Sequence, residues 1–354
     1  MNSARKKILI YLILFLPATA LAQQKTMAVP ELVIPATVEQ WEQQRKKIHE
    51  TLIMVMGDLP PHPKSLRIKT LSREDKGGYT LEKFEFDNEA GAIVPGYLLI
   101  PNNGKKKHPA IYYCHWHGGN YDLGKAEIFS THHTPEIPAE TFTKAGYAVI
   151  AIDAYCFGER SGKGPGGEQE KGSAEEMTAS KYELWQGRSL WGMMIRDDQI
   201  ALGYFLSRPE IDTERVGITG ISMGATRSWW LMALDERIKT GVAVACLTRY
   251  QDLIAEQKLK YHGIYYYVPG ILKHFDTEAI VGMIAPRPVL FMTGDRDPGS
   301  PVNGIIKIEE SSKKLYKLYG AENKFQNIIY PNTAHEYTPD MWSRMLRWMN
   351  TYLK

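Results

Sequence analysis

Cysteine is scarce in this chain: three residues in 354, at Cys114, Cys156 and Cys246. An odd, small number excludes a disulfide framework. Each cysteine follows an apolar run, so buried free thiols are expected, with a Cys114–Cys156 bridge as the alternative. Also missing are an H-E-x-x-H pair, cysteines paired at zinc-ligand spacing and a Walker phosphate loop. Their absence argues against a zinc hydrolase and against a nucleotide cofactor. An excess of one charge is lacking too. The formal charge is +3, and residues 1–22 carry three cations, Arg5, Lys6 and Lys7, with no acid. The remainder is balanced. Local runs such as Lys105-Lys106-Lys107 read as solvated turns, and no nucleic-acid partner is expected.

The three N-terminal cations precede a short apolar run, Ile8 to Leu16, and then Ala20-Leu21-Ala22. Cations, apolar stretch and small residues at the two positions a peptidase reads make a secretory signal peptide, with cleavage before Gln23. The run is too short for a membrane anchor. Residues 23–354 are expected to be exported, periplasmic or secreted, without stable membrane insertion. The whole chain is 44% hydrophobic and 23% charged, enough to bury a large core, and residues 23–354 are expected to form a single domain.

Along that domain Thr37 can cap a helix over Val38 to Met56, with Trp41, Ile48, Leu52 and Met56 on one side. Three β-like runs follow, at Leu66 to Ser72, Thr80 to Phe86 and Ala92 to Pro101, separated by turn-forming stretches that suggest antiparallel hairpins. From Lys107 strand and helix alternate. Strands are expected at Ala110 to Cys114, Tyr147 to Ile152, Val216 to Ile221, Gly241 to Cys246, Val289 to Thr293 and Gln326 to Tyr330. Long helices are expected at Trp191 to Arg208 and Pro339 to Tyr352. This rhythm predicts an α/β fold: a mostly parallel mixed sheet of about eight strands, antiparallel at its N-terminal edge, with helices on both faces. Gly162 to Lys181, rich in Gly, Glu and Lys, reads as a surface loop. Leu247 to Asp276 carries eight aromatic or histidine rings, Tyr265 and Tyr266 among them. It falls at the sheet edge where ligands bind in open α/β sheets, as a pocket wall or cap.

The most informative stretch is Val216-Gly217-Ile218-Thr219-Gly220-Ile221-Ser222-Met223-Gly224. A buried strand runs into Gly220-x-Ser222-x-Gly224 and then a helix, which is the nucleophile-elbow pattern. The glycines are needed because a Cβ there would collide with a neighbouring strand or helix. A serine hydroxyl needs a base, and the base needs an acid to hold its tautomer. On such sheets the partners follow in the order serine, acid, histidine. The acid is sought after Val289 to Thr293, where Asp295 and Asp297 compete; Asp297 is preferred, because Asp295 would bond its own turn. His335, in the loop after the last strand, is the base. Two N–H groups must receive the oxyanion. Met223 supplies one. His117 is the first choice for the other and Trp116 the second, in the loop His115-Trp116-His117-Gly118-Gly119.

Those motifs, with Phe157-Gly158-Glu159-Arg160, Leu234-Asp235-Glu236-Arg237-Ile238 and Ala285-Pro286-Arg287-Pro288, give a resemblance over roughly residues 60–354. The chain resembles the α/β-hydrolases of the dienelactone-hydrolase and acetyl-xylan-esterase-like group, which includes exported carbohydrate esterases. The resemblance implies a serine carboxylic-ester hydrolase without a cofactor, acting on a small-molecule, oligosaccharide or polysaccharide ester. It leaves the ester and the oligomeric state open. Trp116 and Ala225 stand where such families carry glycine, which puts an indole near the acyl pocket. Substrate contacts are expected from Tyr265 and Tyr266, since a pyranose face packs on a ring. They are also sought at Glu159 and Arg160, which could instead brace their loop. A metal site gathered from His115, His117, His132, His133 and Asp153 is not favoured. The rival functions are a prolyl-oligopeptidase-like peptidase and a catalytically silent carbohydrate-binding protein.

Overall fold

The computed structural model describes residues 28–354; the expected signal segment, residues 1–22, lies outside them. Nine strands form one sheet: β1 (Ile68–Asp75), β2 (Tyr79–Asp87), β3 (Ile93–Pro101), β4 (His108–Cys114), β5 (Ala148–Ile152), β6 (Ile211–Ile221), β7 (Thr240–Val244), β8 (Val289–Gly294) and β9 (Phe325–Tyr330). Their order is β1-β2-β3-β5-β4-β6-β7-β8-β9. The β1-β2, β2-β3 and β3-β5 pairings are antiparallel, and those from β5 through β9 are parallel. The sheet is therefore the mixed one expected, with one strand more than eight. β4, β5, β7 and β8 are buried along their whole length. That is why they read as unbroken apolar runs rather than alternating ones.

Nine α-helices lie among the described residues: α1 (Val38–Met56), α2 (Pro138–Lys144), α3 (Gly172–Trp185), α4 (Leu190–Ser207), α5 (Met223–Leu234), α6 (Tyr250–Ala255), α7 (Thr277–Gly282), α8 (Val302–Leu318) and α9 (Pro339–Leu353). Successive residues of β4 point to opposite faces and enter two separate cores. Tyr112 and Cys114 join Trp41, Trp191, Trp230, Ile280 and Leu315, which come from α1, α4, α5, α7 and α8. Ile111 and Tyr113 join Phe142 of α2 and Met341, Trp342 and Met345 of α9. Each fully buried Phe or Met of this kind contributes about 1.5–3 kcal/mol. The helix ends follow side-chain chemistry: Thr37 accepts from the Gln40 N–H at α1, and Thr338 from the Met341 N–H at α9, where Pro339 takes the first turn.

The order of strand addition reverses at β4, since the next strand, β5, lies on one side of it and β6 on the other. Ligands of open α/β sheets bind beyond the carboxyl ends of strands at such a switch point. The loop after β4 and the turn after β6 meet there, because Cys114 and Gly220 are paired in register.

One expectation is overturned. Most of the stretch read as a surface loop, Gly162 to Lys181, belongs to or leads into α3, whose inward face is Glu175, Glu176, Ala179, Ser180 and Glu183. Glu175 accepts the N–H groups of Gly162 and Gly164, and Glu183 pairs with Arg188 at 2.5 Å. A helix that buries carboxylates leaves no apolar periodicity to read. All three cysteines are free and buried, so the Cys114–Cys156 bridge does not form. Burial pushes the Cys114 and Cys246 thiols up to about 12, which keeps them protonated.

Candidate active site

Ser222 sits in the turn between β6 and α5 with φ 58° and ψ −118°, a conformation L residues adopt only when the surroundings enforce it. Its N–H donates to the Val244 carbonyl at 2.9 Å, which ties the turn to β7. A Cβ on Gly220 would stand 2.4 Å from the Cys114 carbonyl oxygen, and one on Gly224 only 2.1 Å from it. Both glycines are therefore dictated by close backbone approach. The Ser222 hydroxyl is turned toward Cys246 Sγ, 3.9 Å away. Met223 is the first residue of α5, so its N–H lacks a partner within the helix.

Asp297 and His335 are brought together by the loops after β8 and β9. Asp297 Oδ2 lies 2.7 Å from His335 Nδ1, and Asp297 Oδ1 accepts the Gly299 N–H at 2.9 Å. The carboxylate is buried. Its bond to Nδ1 leaves Nε2 as the free nitrogen of an imidazole that lines the same cavity as Ser222. Asp295 instead accepts the Thr333 N–H at 3.2 Å, a turn contact of the kind expected for it.

In the loop after β4, the Trp116 N–H donates to the buried Glu127 carboxylate, at 3.0 Å to Oε2 and 3.3 Å to Oε1. Trp116 is thereby removed as a second oxyanion donor. The His117 N–H finds no acceptor among the described residues. Its direction is set by His115. The His115 Nε2 accepts the Ala154 N–H at 3.0 Å, so the ring proton sits on Nδ1, which donates to the Trp116 carbonyl at 2.8 Å. Within one planar peptide the C=O and the following N–H point opposite ways, so the His117 N–H faces away from that buried ring. Burial holds the His115 imidazole well below its ordinary value, which preserves the neutral form this arrangement needs.

Glu127 also accepts from Tyr113 Oη at 2.5 Å. Burial pushes its carboxyl up to about 7. A folded-state value above the unfolded one means that its stabilising contribution is complete below about pH 4.5 and is lost as pH rises through 7. Glu127→Gln removes that loss. Urea unfolding is expected to show the variant gaining on the wild type between pH 5 and pH 8, by up to about 3 kcal/mol. A difference that stays flat with pH would contradict it.

The cavity that contains Ser222 and His335 has a volume of about 470 Å³. Trp116 forms part of its wall, with its indole centroid 4.1 Å from that of His133 and 5.4 Å from that of His335. The aromatic insertion supplies Lys260, Tyr261, His262 and Tyr265 to the wall of this cavity. Tyr266 does not line it. That ring lies behind, stacked on His262 at 4.3 Å and facing a separate apolar cleft. Glu159 and Arg160 are likewise not lining residues. Glu159 binds Lys125 and Lys83 at 2.6 and 2.8 Å, and buried Arg160 binds Asp197 Oδ2 and the Asp153 carbonyl. Both brace the fold, because ion pairs already occupy the charges a substrate would need. Among the described residues, no three His, Cys, Asp or Glu side chains are grouped to hold a metal ion. The sequence reading missed the contribution of α3 entirely: Ser173, Glu176 and Met177 complete the wall. No local pattern signals them, since their partners lie on the loop after β4.

A profile of the Abhydrolase family matches residues 22–339. "Putative hydrolase YtaP" of Bacillus subtilis (strain 168) is 33% identical over 311 residues, covering 87% of this chain and 100% of that protein. Among solved structures, a "putative acetyl xylan esterase" from Bacteroides fragilis NCTC 9343 superposes with a TM-score of 0.66 at 22% identity, over 90% of this chain and 86% of the other. A glucuronoyl esterase from Solibacter usitatus gives 0.67 at 15% identity, over 92% and 99%.

Proposed function

The chain belongs to the Abhydrolase family, and on that premise we propose that it is an exported serine carboxylic-ester hydrolase working through an acyl-enzyme. Its architecture is the α/β-hydrolase fold. The observation that carries the reading is the 2.7 Å Asp297–His335 pair, opening on the cavity that Ser222 also lines. Ser222 Oγ attacks the ester carbonyl carbon while His335 Nε2 takes its proton, and Asp297 stabilises the imidazolium that results. The N–H groups of Met223 and His117 receive the negative oxygen. His335 then returns the proton to the departing alcohol. Water repeats the attack on the acyl-enzyme, releasing the acid and restoring Ser222. The resting serine hydroxyl has to rotate from Cys246 toward His335, as catalytic contacts that are loose in the free enzyme tighten in the complex.

The substrate in this proposal is an acetyl or similarly small ester of an oligosaccharide or polysaccharide. Trp116 narrows the acyl side, Tyr261 and Tyr265 offer rings to a sugar, and a "putative acetyl xylan esterase" and a glucuronoyl esterase share the fold. Export rests on the N-terminal cations, apolar run and Ala20-Leu21-Ala22. Residues 23–354 would then act as one domain. No helix among the described residues is long and apolar enough to cross a membrane. Incubation with acetylated, feruloylated and methyl-esterified polysaccharides, followed by identification of the released acid or alcohol, tests the assignment. Acetate is the expected product. Cleavage of aminoacyl-naphthylamides with no ester turnover would make it a peptidase instead.

A further inference from the structure

Glu176 is 2% exposed, yet only one of its carboxylate oxygens is engaged. The Gly119 N–H donates to His117 Nδ1 at 3.1 Å, so the ring proton is on Nε2. That N–H donates to Glu176 Oε2 at 2.8 Å, and the Tyr121 hydroxyl donates to the same oxygen at 3.0 Å. Oε1 has no donor among the described residues. Oε1 keeps some access to solvent, and an accessible carboxylate oxygen on a cavity wall is free to accept from a ligand. The chain also leaves the space in front of it clear. At Gly263 a Cβ would stand 2.7 Å from Oε1, so any other residue there would cover the oxygen. Glu176, Gly263, Ser222 and His335 all line the one cavity. Lys260 is the sole lysine or arginine in that lining; it is exposed, lies over the Tyr261 ring and forms no ion pair with Glu176.

The geometry points to Glu176 Oε1 as the acceptor for a hydroxyl group on the alcohol portion of the ester, which makes Glu176 a specificity-determining residue. The inference rests on the esterase reading and refines it. A carboxylate in this position binds a neutral, hydroxyl-bearing alcohol such as a sugar, and repels an alcohol that carries its own carboxylate. His117 and Tyr121 hold the other oxygen, so Oε1 is presented in one orientation at no further cost in side-chain entropy.

The test uses the full chain and three esters: p-nitrophenyl acetate, an acetylated neutral pyranoside and the corresponding acetylated uronate. The wild type is expected to prefer the neutral sugar ester over the uronate by about tenfold. In Glu176→Gln, kcat/KM for the neutral sugar ester relative to that for p-nitrophenyl acetate should fall about tenfold, mainly through KM. Discrimination against the uronate should shrink. A ratio within twofold of wild type overturns the inference and leaves the esterase reading standing. A wild type that hydrolyses none of the three removes both. If the variant does not fold, as judged by circular dichroism, the wild type decides: equal or better turnover of the uronate overturns the assignment.

Discussion

Ser222→Ala is expected to lower kcat on p-nitrophenyl acetate by about 10⁴-fold or more while leaving the near-ultraviolet circular dichroism unchanged. The fold should survive because the elbow is held by backbone contacts. The Ser222 N–H bond to Val244 and the approach of Gly220 and Gly224 to the Cys114 carbonyl do not involve the hydroxyl. What the substitution removes is the hydroxyl that, in the proposed mechanism, bonds to the acyl group. The proposed N–H donors of Met223 and His117 remain, and they account for whatever residual rate persists. Turnover within tenfold of wild type would end the serine mechanism.

Asp297→Asn comes next in size, with a loss of about 10³–10⁴ in kcat. Aspartate at 2.7 Å can only accept, so it keeps the His335 proton on Nδ1 and Nε2 free. The amide of asparagine can present its NH₂ to Nδ1 instead, which moves the proton to Nε2 and blocks removal of the Ser222 proton. Asp295→Asn is the matched comparison, two residues away on the same loop. Its carboxylate is exposed and serves the turn through Thr333, so activity should remain within about twofold. Steady-state kinetics on the two variants decide between them. If Asp295→Asn were the crippled one, the assignment of the acid would be reversed.

The parts of the site legible beforehand were those in which chemistry is written locally. The Gly220-x-Ser222-x-Gly224 spacing needs no distant residue to be recognised, because the close approach it demands is made by its own backbone. The Asp297 and His335 positions follow from counting strands, and the strands show themselves as apolar runs. Glu159 and Arg160 were left open between substrate contact and bracing for the opposite reason. A charged pair after a strand looks available for substrate until the partners Lys83, Lys125 and Asp197, up to 76 positions away, are seen to occupy it. Tyr266 was placed on the right segment but on the wrong side of it, since a run of three tyrosines gives no sign of which ring faces inward.

Amino-acid order alone determined the sheet, its antiparallel edge and the elbow turn, and it was enough to propose the order of serine, acid and base. All of these depend on backbone geometry and side-chain periodicity within a few residues. Only the tertiary structure decided which N–H groups stay open, through Glu127 capturing that of Trp116 and His115 orienting the next peptide. It alone placed α3 against the cavity and left one oxygen of Glu176 without a donor. The physical reason is that a buried carboxylate is satisfied by donors brought from distant parts of the chain, and no local pattern records where those donors will arrive.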